Sequence, residues 1–128
     1  MNDVSVRDWQ FRTIELTQGK IRDSSTPVGP CLVTPDEVGG VRPALEVTTT
    51  VDGTVMQRAN TGTLLFDPVH LVTYVSTVIR LNPGDMIATG TPVGVGHARD
   101  PKVYLVGGET VVTAVEGLGA CTNRAVTQ

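Results

Sequence analysis

The sequence predicts a mainly β fold of the α+β type, and three observations lead there. The 128 residues include 21 Val and 18 Thr, β-branched side chains that fit a pleated, half-buried surface. Fourteen Gly and eight Pro punctuate them, as turns between short strands require. Apolar and polar residues alternate through Leu45, Val47, Thr49 and Val51 and resume at Val55 after Asp52-Gly53. Asp-Gly suits a two-residue hairpin turn in which both central residues take positive φ, so strands are expected at about 44–51 and 54–59.

Asp3 is expected to cap a short turn or helix running to Arg12, because its carboxylate can accept N–H groups from the first turn. Residues 21–40 are rich in Pro and Gly, and only Cys31-Leu32-Val33 resembles a strand there. Asp67-Pro68 opens the principal helix, expected over about 67–80, with Asp67 as N-cap and Pro68 at the first helical position. Val69, Leu71, Val72, Val75, Val78 and Ile79 recur at three- and four-residue steps behind it. Met86-Ile87-Ala88 is expected to be a buried strand entering the glycine-rich stretch 89–96. Strands are further expected at 103–106, 110–115 and near 124–126, with a bend at Gly117 and Gly119. Expected core positions are Leu45, Val47, Val51, Val72, Val75, Ile79, Ile87, Val112 and Val115.

Net charge is −3 and aromatics are 4%, which gives no attraction to phosphate backbones and no base-stacking platform. No nucleic acid and no membrane partner is expected. The most apolar stretch, Val69 to Ile79, is broken by His70, Thr73, Ser76 and Thr77 and falls short of a membrane span. With two cysteines and no charged-then-apolar opening segment, the expectation is a cytoplasmic protein of one domain, 1–128.

The glycine-rich stretch Thr89-Gly90-Thr91-Pro92-Val93-Gly94-Val95-Gly96 fails the tests for nucleotide binding. Gly96 is followed by His97 rather than the lysine of a P-loop, and Arg99 stands where a dinucleotide fingerprint needs its third glycine. What it offers is close approach of backbone N–H groups and the Thr91 hydroxyl to a ligand. Asp3, Arg7 and Gln10, spaced for one helical face, add an anion, a cation and an amide. Lys20, His70 and His97 stand alone in the sequence, and Cys31 and Cys121 read as small apolar fillers.

In order along the chain, Asn2-Asp3-Val4-Ser5-Val6-Arg7-Asp8-Trp9-Gln10, Gly19-Lys20, Pro27-Val28-Gly29-Pro30, Val51-Asp52-Gly53, Pro83-Gly84-Asp85-Met86-Ile87-Ala88-Thr89-Gly90-Thr91-Pro92-Val93-Gly94-Val95-Gly96 and Glu116-Gly117-Leu118-Gly119 resemble the fumarylacetoacetate hydrolase family. The resemblance runs from residue 2 to about 124. It implies that family's mixed β-roll, usually dimeric, and divalent-metal-dependent hydrolysis or isomerisation of acylpyruvates and related 2-oxo acids. Mg²⁺, Mn²⁺ or Ca²⁺ would act there as a Lewis acid toward the substrate oxygens.

By the same resemblance Asp3 falls on a metal carboxylate, and Arg7 and Gln10 on substrate-contacting positions. Lys20 falls on the lysine that stabilises enolate charge, Gly90 and Thr91 on the loop that holds substrate oxygens, and Ser24 near a position often held by Thr. The family's Glu-x-Glu metal ligands and its His–Glu pair have no counterpart here: glutamates stand at 15, 37, 46, 109 and 116 only. Ile21-Arg22-Asp23-Ser24 replaces the common Ser-Phe-Asp-Thr and places an added charge beside the expected site. The chain therefore reads as the C-terminal portion of such a catalytic domain. The alternative is an inactive portion that folds and associates, as a homodimer or with a partner, without turnover.

Overall fold

The computed structural model describes residues 1–127. Its centre is a four-stranded antiparallel sheet: β1 (Glu46–Val51), β2 (Thr54–Asn60), β3 (Thr110–Val115) and β4 (Gly119–Arg124), in the order β2-β1-β3-β4. The β1–β2 turn has φ 45° at Asp52 and 80° at Gly53, the double positive φ that Asp-Gly was expected to supply. Around the sheet lie two short helices, α1 (Arg7–Gln10) and α2 (Pro68–Ser76), and several 3-10 turns. The fold is mixed α+β, dominated by the sheet and long ordered loops.

Register decides the faces. Val47 opposes Val115, Thr49 opposes Thr113 and Val51 opposes Val111, while Val111 opposes Asn123 and Thr113 opposes Cys121. Cross-strand partners share a face, so these residues line one surface, which looks toward the N-terminal segment. Val111, 7% exposed, is the one buried apolar side chain among the described residues. It was not among the expected core positions. It lies on the Val47–Val51–Val115 face, whereas Val112 is on the other.

Several expectations are corrected. Helix α2 ends at Ser76, not near Arg80; beyond it lie only turns. Val72 and Ile79 are exposed (48% and 56%), because the stripe they belong to has no element packed against it. Residues 31–33, 86–88 and 103–106 form no strand, and the last strand starts at Gly119 instead of near Arg124. Cys31 is exposed and is no filler. Leu45, Val47, Val51, Val75, Ile87, Val112 and Val115 are half-buried. The physical reason is common to all. Apolar runs were read as covered, yet the accessible surface is 9202 Å², where a closed domain of 13.5 kDa exposes about 6,500 Å². Much apolar surface stays open.

The start of α2 follows the local chemistry. Asp67 Oδ1 accepts from the His70 N–H at 2.8 Å, and its Oδ2 pairs with Arg42 at 2.8 Å. No helix of the described residues is long and apolar enough to cross a membrane.

Candidate functional site

The N-terminal segment is extended before α1. Asn2 N–H donates to Pro27 O, Val4 N–H to Ser25 O, and Val6 N–H to Gly19 O, at 3.1, 3.1 and 2.9 Å. Asp3 is thus no helix cap: Val6 precedes α1 and no side chain caps it. The competing use of Asp3 is tertiary. Lys20 Nζ donates to Asp3 Oδ2 at 2.7 Å and to the Asp3 main-chain oxygen at 3.3 Å.

What delivers Lys20 is the packing of Gly19 on α1. A Cβ at Gly19 would lie 2.6 Å from Gln10 Cβ and 2.7 Å from its Cα, so only glycine lets the 3-10 turn Thr17–Gly19 approach so closely. Gln10 itself is buried, 8% exposed. Its Oε1 accepts a hydrogen bond from Arg7 Nη1 across one turn of α1. The guanidinium is therefore oriented by a buried amide, with its remaining N–H groups available to a planar anion.

Arg22, the added charge of the sequence, spends itself on Trp9. Its guanidinium carbon lies 4.4 Å from the indole centroid, and that of Arg12 lies 3.6 Å away. The Arg22 contact ties the Lys20–Ser25 loop to α1. Ser25 Oγ closes the loop by donating to Arg22 O at 2.7 Å. Ser24 has φ 58° and lines a groove of about 1130 Å³ between the N-terminal segment and the Val111 face.

The glycine-rich loop lies against β2. Gln57 Nε2 donates to Pro92 O at 2.9 Å, and Arg99 donates from Nε to Gly94 O at 3.0 Å and from Nη2 to Met56 O at 2.5 Å. Gly94, at φ 99°, abuts the Met56 backbone so closely that a Cβ would overlap its carbonyl oxygen. Thr91 is exposed. It makes no hydrogen bond to Asp3 or Lys20 among the described residues, so the structure joins Asp3 with Lys20 and Arg7 with Gln10 but leaves Gly90 and Thr91 outside those contacts.

The far end of the loop does reach α1. His97 packs on Phe11, with ring centroids 5.8 Å apart, and its Nδ1 lies 3.0 Å from the Tyr104 hydroxyl. Desolvation, then the charges of Lys102 and Arg7, hold the His97 pKa below its ordinary value of 6.5. Sequence reading missed Arg22, Arg99, His97 and Tyr104 as organisers of the site. Arg99 was visible only as a failed glycine, and the stacking partners are far apart in the chain.

Carboxylates are scarce here. Among the described residues no group of three His, Cys, Asp or Glu side chains could hold a metal ion, and Asp3 is already paired with an ammonium. Divalent Mg²⁺ or Ca²⁺ requires six or more oxygen donors. The donor set of this chain alone does not fit one.

The structure thus holds a guanidinium oriented by a buried amide and, as a separate contact, an ammonium–carboxylate pair. The chain belongs to the fumarylacetoacetate hydrolase family: residues 1–126 match the model of the fumarylacetoacetate (FAA) hydrolase C-terminal domain. It is 45% identical over 121 residues, 93% of its length, to 2,4-didehydro-3-deoxy-L-rhamnonate hydrolase of Sphingomonas sp. (strain SKA58). It is 42% identical over 127 residues, 98% of its length, to a mitochondrial oxaloacetate tautomerase of Bos taurus. The chain covers 42% and 40% of those two proteins. A solved fumarylpyruvate hydrolase from Pseudomonas aeruginosa, in complex with Mn²⁺ and pyruvate, superposes with TM-score 0.82 at 34% identity, covering 98% of this chain and 52% of that one.

Proposed function

We propose that this chain contributes the carboxylate-binding and enolate-stabilising part of a divalent-metal-dependent enzyme. Its reaction is C–C hydrolysis of acylpyruvate-type β-diketo acids, or a related isomerisation of 2-oxo acids. The observation that carries the reading is the meeting of Lys20 and Asp3 at 2.7 Å across 17 positions, together with the Arg7–Gln10 hydrogen bond. Relatives that act on a rhamnonate derivative and on oxaloacetate, and one holding Mn²⁺ and pyruvate, support it.

In this reading Arg7, held by Gln10, binds the substrate carboxylate through paired N–H groups. In the hydrolysis water adds to the acyl carbonyl and the acyl group leaves as its carboxylic acid. The electron pair of the broken C–C bond passes into the pyruvyl fragment as an enolate whose charge the Lys20 ammonium stabilises. Gly90 and Thr91 bring N–H and hydroxyl donors to the substrate oxygens. Asp3 is this chain's single contribution to a Mg²⁺, Mn²⁺ or Ca²⁺ centre whose other donors lie outside it. A homodimer in the cytoplasm completes the proposal, since the open apolar surface favours association.

The decisive assay is cleavage of an acylpyruvate, or tautomerisation of oxaloacetate, with Mn²⁺ present. Lys20→Met is expected to lower kcat by at least about 10²-fold, in the range of losing one positioned donor at a developing oxyanion. Turnover equal in the wild-type and Lys20→Met chains would refute the reading. One observation favours a second reading, a folded portion that associates without turnover: among the described residues no group of three His, Cys, Asp or Glu side chains could hold a metal ion. Turnover no faster than buffer with Mn²⁺, together with saturable pyruvate binding, would select it.

A further inference from the structure

We propose that the groove between the N-terminal segment and the Val111 face takes the apolar tail of a monocarboxylate. The oxo acid this chain handles then carries an apolar acyl group in place of a second carboxylate. The proposal rests on reading Arg7 as the carboxylate-binding residue. Its ground is the lining of the groove, about 1130 Å³, which Arg7 shares with Val4, Val6, Phe11, Leu105 and Val111.

A space of that volume is ample for a small ligand. Phe11 and Leu105 are 63% and 41% exposed, so apolar surface along the groove stands open to solvent. A methylene chain laid against it leaves water, and the side chains it covers do the same. Neither Asp3 nor Lys20 lines the groove. A ligand held at Arg7 therefore has a separate, apolar place for its tail.

Charge decides between a monoacid and a diacid. Along the groove the guanidiniums of Arg7, Arg22 and Arg124 outnumber the carboxylates of Asp8 and Asp23 by one. His97 adds no charge near pH 7, because desolvation and neighbouring cations hold its pKa below 6.5. Arg22 is engaged by the Trp9 ring, and Arg124 is exposed, where an ion pair gains little. One anionic head at Arg7 satisfies this balance. A second carboxylate would give up its water among valine and leucine side chains, which is costly without a partner.

The test is a titration of the 128-residue chain with pyruvate, 2-oxohexanoate and 2-oxoadipate, followed by NMR of the valine and leucine methyl groups, with folding checked by circular dichroism. 2-Oxohexanoate is expected to bind about tenfold more tightly than pyruvate, as its added methylenes leave water in part, and to shift the Leu105 and Val111 methyl signals. 2-Oxoadipate, of equal chain length but with a second carboxylate, should bind no more tightly than pyruvate. Leu105→Gln and Phe11→Gln should each remove most of the advantage of 2-oxohexanoate and leave pyruvate binding as it is. Equal affinity for 2-oxohexanoate and pyruvate, or tighter binding of 2-oxoadipate, overturns the proposal. So do Leu105 and Val111 signals that shift with protein concentration alone and ignore the ligand, since a second copy then fills the groove. Arg7→Met separates the two claims. If it weakens pyruvate binding while tail length has no effect in wild type, only the groove assignment fails. If it leaves every affinity unchanged, the reading of Arg7 fails, and the proposal with it.

Discussion

Gly19 and Gln10 touch backbone to side chain, and through that contact a lysine 17 positions from an aspartate comes to lie 2.7 Å from it. Gly19→Ala should therefore disturb the site as well as the fold. The added methyl would sit 2.6 Å from Gln10 Cβ, an overpacking that costs about 1–3 kcal/mol. Urea denaturation should show a lower midpoint, and the Lys20 side-chain signal in NMR should move toward that of a free lysine.

Asp67 serves two partners at once, the His70 N–H and Arg42. Asp67→Ala is expected to destabilise the start of α2 by about 1 kcal/mol, the usual loss for an N-cap. Amide hydrogen exchange at Val69, His70 and Leu71 should speed up, while exchange in β1 and β3 stays unchanged. Asp67→Ser, which restores the cap without the ion pair, should recover most of the loss.

Trp9 holds two guanidiniums, Arg12 and Arg22, each worth about 0.5–1 kcal/mol at such exposure. Trp9→Leu should release the loop that carries Lys20. Limited trypsin digestion should then cut after Arg22 and Arg12 several times faster than in wild type, and cutting after Arg58 within β2 should not change.

His97 gives a pH dependence with a defined sign. Its proton affinity is lowered on folding, so the folded state binds fewer protons than the unfolded one near pH 6.5. The contribution is stabilising above the unfolded pKa and is lost as pH falls through the folded one. An NMR titration should place the His97 midpoint below 6.5, and Lys102→Met should raise it by removing one of the charges responsible. A midpoint that ignores Lys102→Met would remove the electrostatic part of this explanation.

Legibility in the sequence followed the range of the interaction. The hairpin at Asp52-Gly53, the bounds of β3 and the cap at Asp67 rest on neighbours in sequence, and all three stand in the structure. Apolar patterning alone failed at Val72, Ile79 and residues 86–88, because periodicity names the face that seeks cover and cannot say whether anything covers it. At Asp3, local chemistry suggested a cap, and the structure gives its carboxylate to Lys20 instead. The family resemblance picked out Asp3, Arg7, Gln10 and Lys20. The stacking of Arg22 on Trp9 and of His97 on Phe11 had no signal in spacing, since both are side-chain contacts made only after the loops fold.

The central claim is that Asp3, Lys20, Arg7 and Gln10 serve one small oxo acid, and pyruvate binding followed by NMR tests it most directly. Titration should shift the Lys20 and Arg7 side-chain signals together along one saturation curve, and Arg7→Met should weaken binding by about tenfold, as losing a charge-assisted pair does. Independent curves for the two residues, or an unchanged affinity in Arg7→Met, would contradict the account.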